Sequence, residues 1–136
     1  MLFQQSPMLF WLALTIAFTG VLWVPYIAEL LLHHGPIQAL RDPDGVIAHG
    51  SAWAQRAKRA HYNAIENLAL FAPLAILIHL LGLETPLTGT MAMAYFGFRV
   101  GHYAVYTAGV PFVRTGLFLG GFACLTVLAL QLFGQL

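Results

Sequence analysis

Residues 8–32 read MLFWLALTIAFTGVLWVPYIAELLL, and Glu29 is the only charged side chain among them. An apolar run of this length exceeds the roughly 20 residues that a helix needs to cross a bilayer core. Pro25 does not argue against a span, because neighbouring groups in a membrane bundle can take up the carbonyl that proline leaves free. His33-His34-Gly35-Pro36 ends the run. The rest of the chain has the same character. Of its 136 residues 60% are hydrophobic and 8% charged, against about 25% charged in an ordinary soluble domain. Such a chain has too little polar surface to clothe a water-soluble globule. A net charge of +1 with no basic stripe excludes the nucleic-acid binders.

Working outward from this run, residues 33–50 hold the turn-forming cluster Arg41-Asp42-Pro43-Asp44-Gly45 and read as the longest extramembrane loop. A second helix is expected over about 52–81. Its first half carries Arg56, Lys58, Arg59, His61, Asn63 and Glu66; its second half is apolar apart from Pro73 and His79. Gly82 and Glu84-Thr85-Pro86 turn the chain into a third helix, about 87–106, with Arg99 and His102 inside it. Gly109-Val110-Pro111 leads to a fourth, about 112–133. The expectation is an all-α integral membrane protein, with residues 1–136 forming one domain of four transmembrane helices (about 8–32, 52–81, 87–106 and 112–133). The segment before the first run has no Lys or Arg and no small-residue cleavage site follows it, so the run reads as a retained helix rather than a signal peptide. Cys124, the single cysteine, has no intramolecular partner and reads as an inert buried thiol.

With four spans, one side of the membrane collects Arg41, Arg56, Lys58, Arg59 and Arg114, whereas Glu84 is the only charged side chain on the other. The basic side is expected to face the cytoplasm and both termini the opposite side. The expected location is a bacterial inner membrane.

Ionisable groups inside spans cost about 2.5–3.5 kcal/mol each at the helix centre on insertion scales, so each needs a function or a partner. On the second helix Arg56, Arg59, Asn63 and Glu66 are spaced i, i+3, i+7, i+10, which confines them to about 80° of arc. The stripe suits a ligand carrying both charges, with Arg for a carboxylate, Glu for an ammonium and Asn for an amide. Equally, Arg59 and Glu66 could pair with other helices and only fix the packing. On the third helix Arg99, His102 and Tyr106 also share a face. Tyr106 reads either as a site residue or as an interfacial anchor, and His102 either as a site residue or as an interhelical donor. Arg99 lies deeper and is expected to neutralise a buried acid, with Glu66 the candidate. Arg114 opens the fourth helix on the same side. A guanidinium there would lower the pKa of a bound thiol or stabilise a developing anion. No His, Asp, Glu or Cys grouping has metal-ligand spacing, and His33, His34 and His49 read as loop decoration. No phosphate loop or serine elbow is present.

The segment Arg56-Ala57-Lys58-Arg59-Ala60-His61-Tyr62-Asn63-Ala64-Ile65-Glu66-Asn67, with Phe71 and Pro73 after it, resembles the signature of the MAPEG superfamily. These are the membrane-associated proteins of eicosanoid and glutathione metabolism, among them the microsomal glutathione transferases. Arg99-Val100-Gly101-His102, then Tyr106, a proline and Arg114, are similar to the family's second block. The resemblance extends over essentially the whole chain. It implies a homotrimer of four-helix protomers that binds reduced glutathione between subunits, open to the cytoplasm. Arg59, Asn63 and Glu66 would hold the tripeptide, His102 and Tyr106 would line the site, and Arg114 would stabilise the thiolate. The chain departs from catalytic relatives near the end of the first helix, where Glu29-Leu30-Leu31-Leu32-His33-His34 stands in place of an arginine, and at Asn67, where the leukotriene-forming relative has tyrosine.

The function expected is that of a glutathione-dependent transferase or peroxidase. A hydrophobic electrophile or lipid hydroperoxide would enter from the lipid, past residues such as Phe118 or Leu119. The alternative is a non-catalytic, lipid-binding trimeric scaffold resembling the five-lipoxygenase-activating protein. A channel or transporter would call for an inverted repeat or broken-helix pair, which the sequence lacks.

Overall fold

The computed structural model describes residues 1–42, 45 and 50–134, except for the side chains of residues 2 and 3. Pro43, Asp44 and His49, which the sequence assigns to the first loop, lie outside the described residues. Seven helices follow one another: α1 (Leu2–Gln5), α2 (Pro7–Val21), α3 (Trp23–His34), α4 (Pro36–Leu40), α5 (Ala52–Leu80), α6 (Pro86–Ala108) and α7 (Pro111–Leu132). There is no strand among the described residues. Three stretches are long and apolar enough to cross a membrane: Pro7–His34, Ala52–Leu80 and Pro111–Leu132. The fourth long helix, α6, has 23 residues, or about 34 Å of length, but is too polar to count as a span by composition.

Helix ends follow local chemistry. Ser6 caps α2 by accepting a hydrogen bond from the Leu9 amide at 3.0 Å, with Pro7 in the first helical position, where its missing N–H costs nothing. Thr85 and Thr88 form a reciprocal capping box at the start of α6, again with proline following the cap.

The first apolar run is divided at Leu22 rather than continuous. Pro25 has no N–H to offer the carbonyl four residues earlier, and the break falls there. The Leu22 amide turns to the Thr19 carbonyl at 3.3 Å, and the Leu22 carbonyl accepts from the Tyr103 hydroxyl of α6 at 3.3 Å.

Lipid tails are as apolar as leucine, so membrane helices associate through close packing and interhelical polar contacts. Both are present. Ala54, Ala57, Ala60 and Ala64 make a buried small-residue seam along α5. Next to it the Tyr26 hydroxyl of α3 and His61 Nδ1 of α5 are hydrogen-bonded at 2.8 Å, both residues being buried. Toward the other end of the bundle the helices close on Met8, Leu12, Phe71, Ile78, Tyr95 and Leu128, with the Phe71 and Tyr95 rings 4.2 Å apart.

Gly121 of α7 is required by a close approach. A Cβ there would stand 2.5 Å from Arg99 Nη2. Gly121→Ala is expected to lower stability, because an overpacking cost of about 1–3 kcal/mol exceeds the gain of about 0.5–1 kcal/mol for alanine over glycine in a helix. Thermal unfolding in detergent, with Gly116→Ala in open space as the comparison, measures it.

Candidate functional site

The site lies where α5 begins, α6 ends and α7 begins. Gly109 closes α6 in the left-handed conformation, φ 85°, and Pro111 opens α7 two residues later. This short link sets Tyr106 and Arg114 on facing arms of one hairpin, with the guanidinium carbon 4.4 Å from the Tyr106 ring centroid. A stack of this kind contributes about 0.5–2 kcal/mol, more as water is excluded. α5 is tied to the same hairpin by Arg56, whose Nε donates to the Thr107 carbonyl at 2.9 Å. The Arg56 guanidinium lies over Gly109, where a Cβ would be 3.1 Å from Nε. Arg56, the first member of the sequence stripe, thus serves as a helix-to-hairpin tie.

Asn63, His102, Tyr106, Arg114, Thr115 and Phe118 line an open cavity of about 280 Å³. His102 is buried, its ring centred 5.5 Å from Tyr106 at 70° and 6.3 Å from Phe118. Arg114 makes no ion pair among the described residues, so its charge is available to an incoming anion.

Beneath the cavity lies Arg99, 2% exposed. Its Nη1 donates to Asn63 Oδ1 at 3.4 Å and its Nη2 to the Phe118 carbonyl at 3.5 Å. The faces of Tyr95 and Phe118 lie 5.4 and 5.6 Å from the guanidinium carbon. The expected neutralisation by Glu66 is not seen. Glu66 is exposed on the outside of α5, and a neutral amide with two aromatic faces takes its place. Asn63 Oδ1 also receives Asn67 Nδ2 at 3.4 Å, and Asn67 donates to the Asn63 carbonyl at 2.9 Å. The Asn63 amide nitrogen makes no hydrogen bond among the described residues.

Of the six residues singled out in the sequence, Asn63, His102, Tyr106 and Arg114 therefore meet around one cavity. Arg59 and Glu66 do not join them. Seven residues apart, they lie on one outward line of α5, exposed and without ion pairs among the described residues. Glu29 accepts from the Ser51 amide at 2.8 Å and the Ser51 hydroxyl at 2.7 Å, anchoring the approach to α5. Thr115 also lines the cavity; its only mark in the sequence is its place beside Arg114 in the first turns of α7. Phe118 lines the cavity and Leu119 is exposed. No grouping of three or more His, Cys, Asp or Glu side chains that could hold a metal ion occurs among the described residues.

The MAPEG family model matches residues 8–134. No curated protein and no solved structure matches the chain.

Asn63→Leu removes the only side-chain acceptor of the Arg99 guanidinium among the described residues. The variant is expected to lose about 1–3 kcal/mol of stability, the cost of leaving a buried donor unsatisfied. Asn63→Asp, which restores an acceptor and adds the missing charge, is expected to recover it; thermal unfolding of the two variants side by side is the check.

Proposed function

Since this chain belongs to the MAPEG family, which contains glutathione-dependent enzymes as well as non-catalytic members, we propose that it is a membrane-bound glutathione transferase or peroxidase, built as a homotrimer of four-span protomers. The observation that carries the reading is Arg114, a cation without an ion pair among the described residues, stacked on Tyr106 beside a cavity that Asn63 and His102 also line. A guanidinium in that position favours the thiolate of glutathione over the thiol, the proton passing to water. The thiolate then forms a C–S bond to an electrophilic carbon of the apolar substrate, either displacing a leaving group that departs with its bonding pair or opening an activated double bond whose carbanion takes a proton from water. With a hydroperoxide it attacks the terminal oxygen, breaking the O–O bond to release an alcohol, and a second glutathione yields the disulfide and water. The charged cosubstrate comes from water and the apolar one from the lipid.

The fit to glutathione is partial within one protomer. A cavity of about 280 Å³ falls below the usual range of about 300–1,000 Å³ for ligand sites. The groups best suited to the tripeptide's charged ends, Arg59 and Glu66, stand outside it. Glu66 lies near the middle of the 29-residue α5, about 21 Å from its start. A bare carboxylate facing lipid at that depth would cost roughly 2.5–3.5 kcal/mol. A second copy packed against this face shields the charge and supplies the rest of the binding surface. The same reasoning supports α6 as the fourth span, since its polar groups Arg99 and His102 are buried inside the bundle. The charge distribution supports a cytoplasmic site with both termini across the membrane.

Titration of the detergent-purified protein with reduced glutathione is expected to give a saturable ultraviolet thiolate band near neutral pH, abolished in Arg114→Ala. Absence of the band, together with no binding by calorimetry, would leave the lipid-presenting scaffold. Native mass spectrometry is expected to find three copies, and Glu66→Lys is expected to shift the distribution toward monomer. A wild-type protein that stays monomeric would remove the intersubunit site.

A further inference from the structure

A larger cavity, about 520 Å³, lies at the opposite end of the bundle. Pro7 and Trp11 of α2 form one wall, Thr90 and Met93 of α6 the other, and Glu84 stands at the rim. Counted along α6 from Pro86 to His102, it is about 24 Å from the site described above, in the other leaflet. Neither the glutathione chemistry nor the intersubunit face makes use of it.

We propose that this groove binds a membrane lipid whose headgroup carries a primary ammonium, with the ammonium on Glu84 and an acyl chain along Trp11 and Met93. The inference rests on the four-span arrangement and not on the glutathione reading. The groove is preformed. Trp11 is held by Phe10, 5.4 Å away edge-on, and by Phe96 at 5.5 Å. At Gly89, α6 comes so near Pro7 that a Cβ would lie 3.2 Å from the proline's own. That contact closes the floor.

The charge selects the headgroup. Glu84 is the only Asp, Glu, Lys or Arg at this end of the bundle among the described residues; it is 23% exposed, and His79 Nδ1 forms an ion pair with it whenever the imidazole is protonated. Two donors orient it: the Ser6 hydroxyl at 2.8 and 2.9 Å from its two oxygens, and His79 Nδ1. A carboxylate offers about four acceptor positions, so this one retains capacity for further donors. A primary ammonium supplies both charge and N–H groups. A quaternary ammonium supplies charge alone, and an anionic headgroup is repelled.

Trp11 is the natural reporter. In a Trp23→Phe/Trp53→Phe background the protein is placed in phosphatidylcholine nanodiscs, with a fixed fraction of brominated acyl chains carried on phosphatidylethanolamine, phosphatidylcholine or phosphatidylglycerol. Quenching of Trp11 is expected to be severalfold stronger with the ethanolamine lipid. Glu84→Gln should abolish the preference, and so should Thr90→Phe, which fills the groove while keeping the carboxylate. Size-exclusion profiles report folding, and if Glu84→Gln does not fold, Thr90→Phe decides. Equal quenching by the three headgroups, or a preference that survives Thr90→Phe, overturns the proposal and leaves Glu84 as a staple between Ser6 and the α5–α6 turn.

Discussion

A guanidinium has to be accommodated inside an apolar bundle, and much of the structure is arranged around Arg99. Its charge is met by no carboxylate among the described residues. It is spread instead over an amide oxygen from α5, a carbonyl from α7 and two aromatic faces from α6 and α7. Each contact is long, and together they fix the rotation of three helices about one point. Gly121 is small because the guanidinium occupies the space a side chain would take. Asn63 and Phe118 hold Arg99 on one side and line the cavity on the other, so the burial of this cation and the shape of the site are one problem. In a bilayer, where apolar burial gives helices little reason to prefer one another over lipid, such a polar anchor can set the register of a bundle.

α5 divides the protein's work between its faces. Inward it offers alanine, which lets α3 and α6 approach closely, and His61, which meets Tyr26. Outward, its N-terminal half offers Arg59 and Glu66, which the protomer leaves without ion pairs among the described residues. Asn63 sits at the boundary between these two faces. These outward charges are the feature of the protomer's surface that the proposed intersubunit packing would account for.

The membrane class was legible in composition, because a chain with so few charges and such long apolar runs has few other solutions. Helical spacing set Asn63 in one stripe with Arg59 and Glu66 and His102 with Tyr106 in another, on the side of the membrane where Arg114 lies; the family resemblance joined them into one site, and only Asn63, His102, Tyr106 and Arg114 meet around the cavity. The partner of Arg99 was not. Level alone favoured Glu66, but three residues of helical rotation separate it from Asn63, and only packed helices reveal which of the two turns inward. The Phe118 contact was hidden for another reason, since a backbone carbonyl leaves no mark in a sequence. Pro25 was visible, whereas the break it causes lies upstream at Leu22, because the missing hydrogen bond belongs to an earlier carbonyl. Thr115 carried no pattern of its own beyond adjacency to Arg114.

The short link between α6 and α7 also bears on the order in which the site is assembled. Tyr106 and Arg114 are brought together by two linking residues and a proline, so their stack needs nothing but its own hairpin. Arg59 and Glu66 lie on an earlier helix, and under the proposed assembly they would join the site only when a second copy packs against them. A newly inserted chain therefore carries a finished anion-attracting half and an unfinished, lipid-mismatched half. In the proposed assembly, the exposed Arg59 and Glu66 would distinguish a lone protomer from one packed against its neighbours. The groups that would hold the cosubstrate would in this way also report whether assembly is complete.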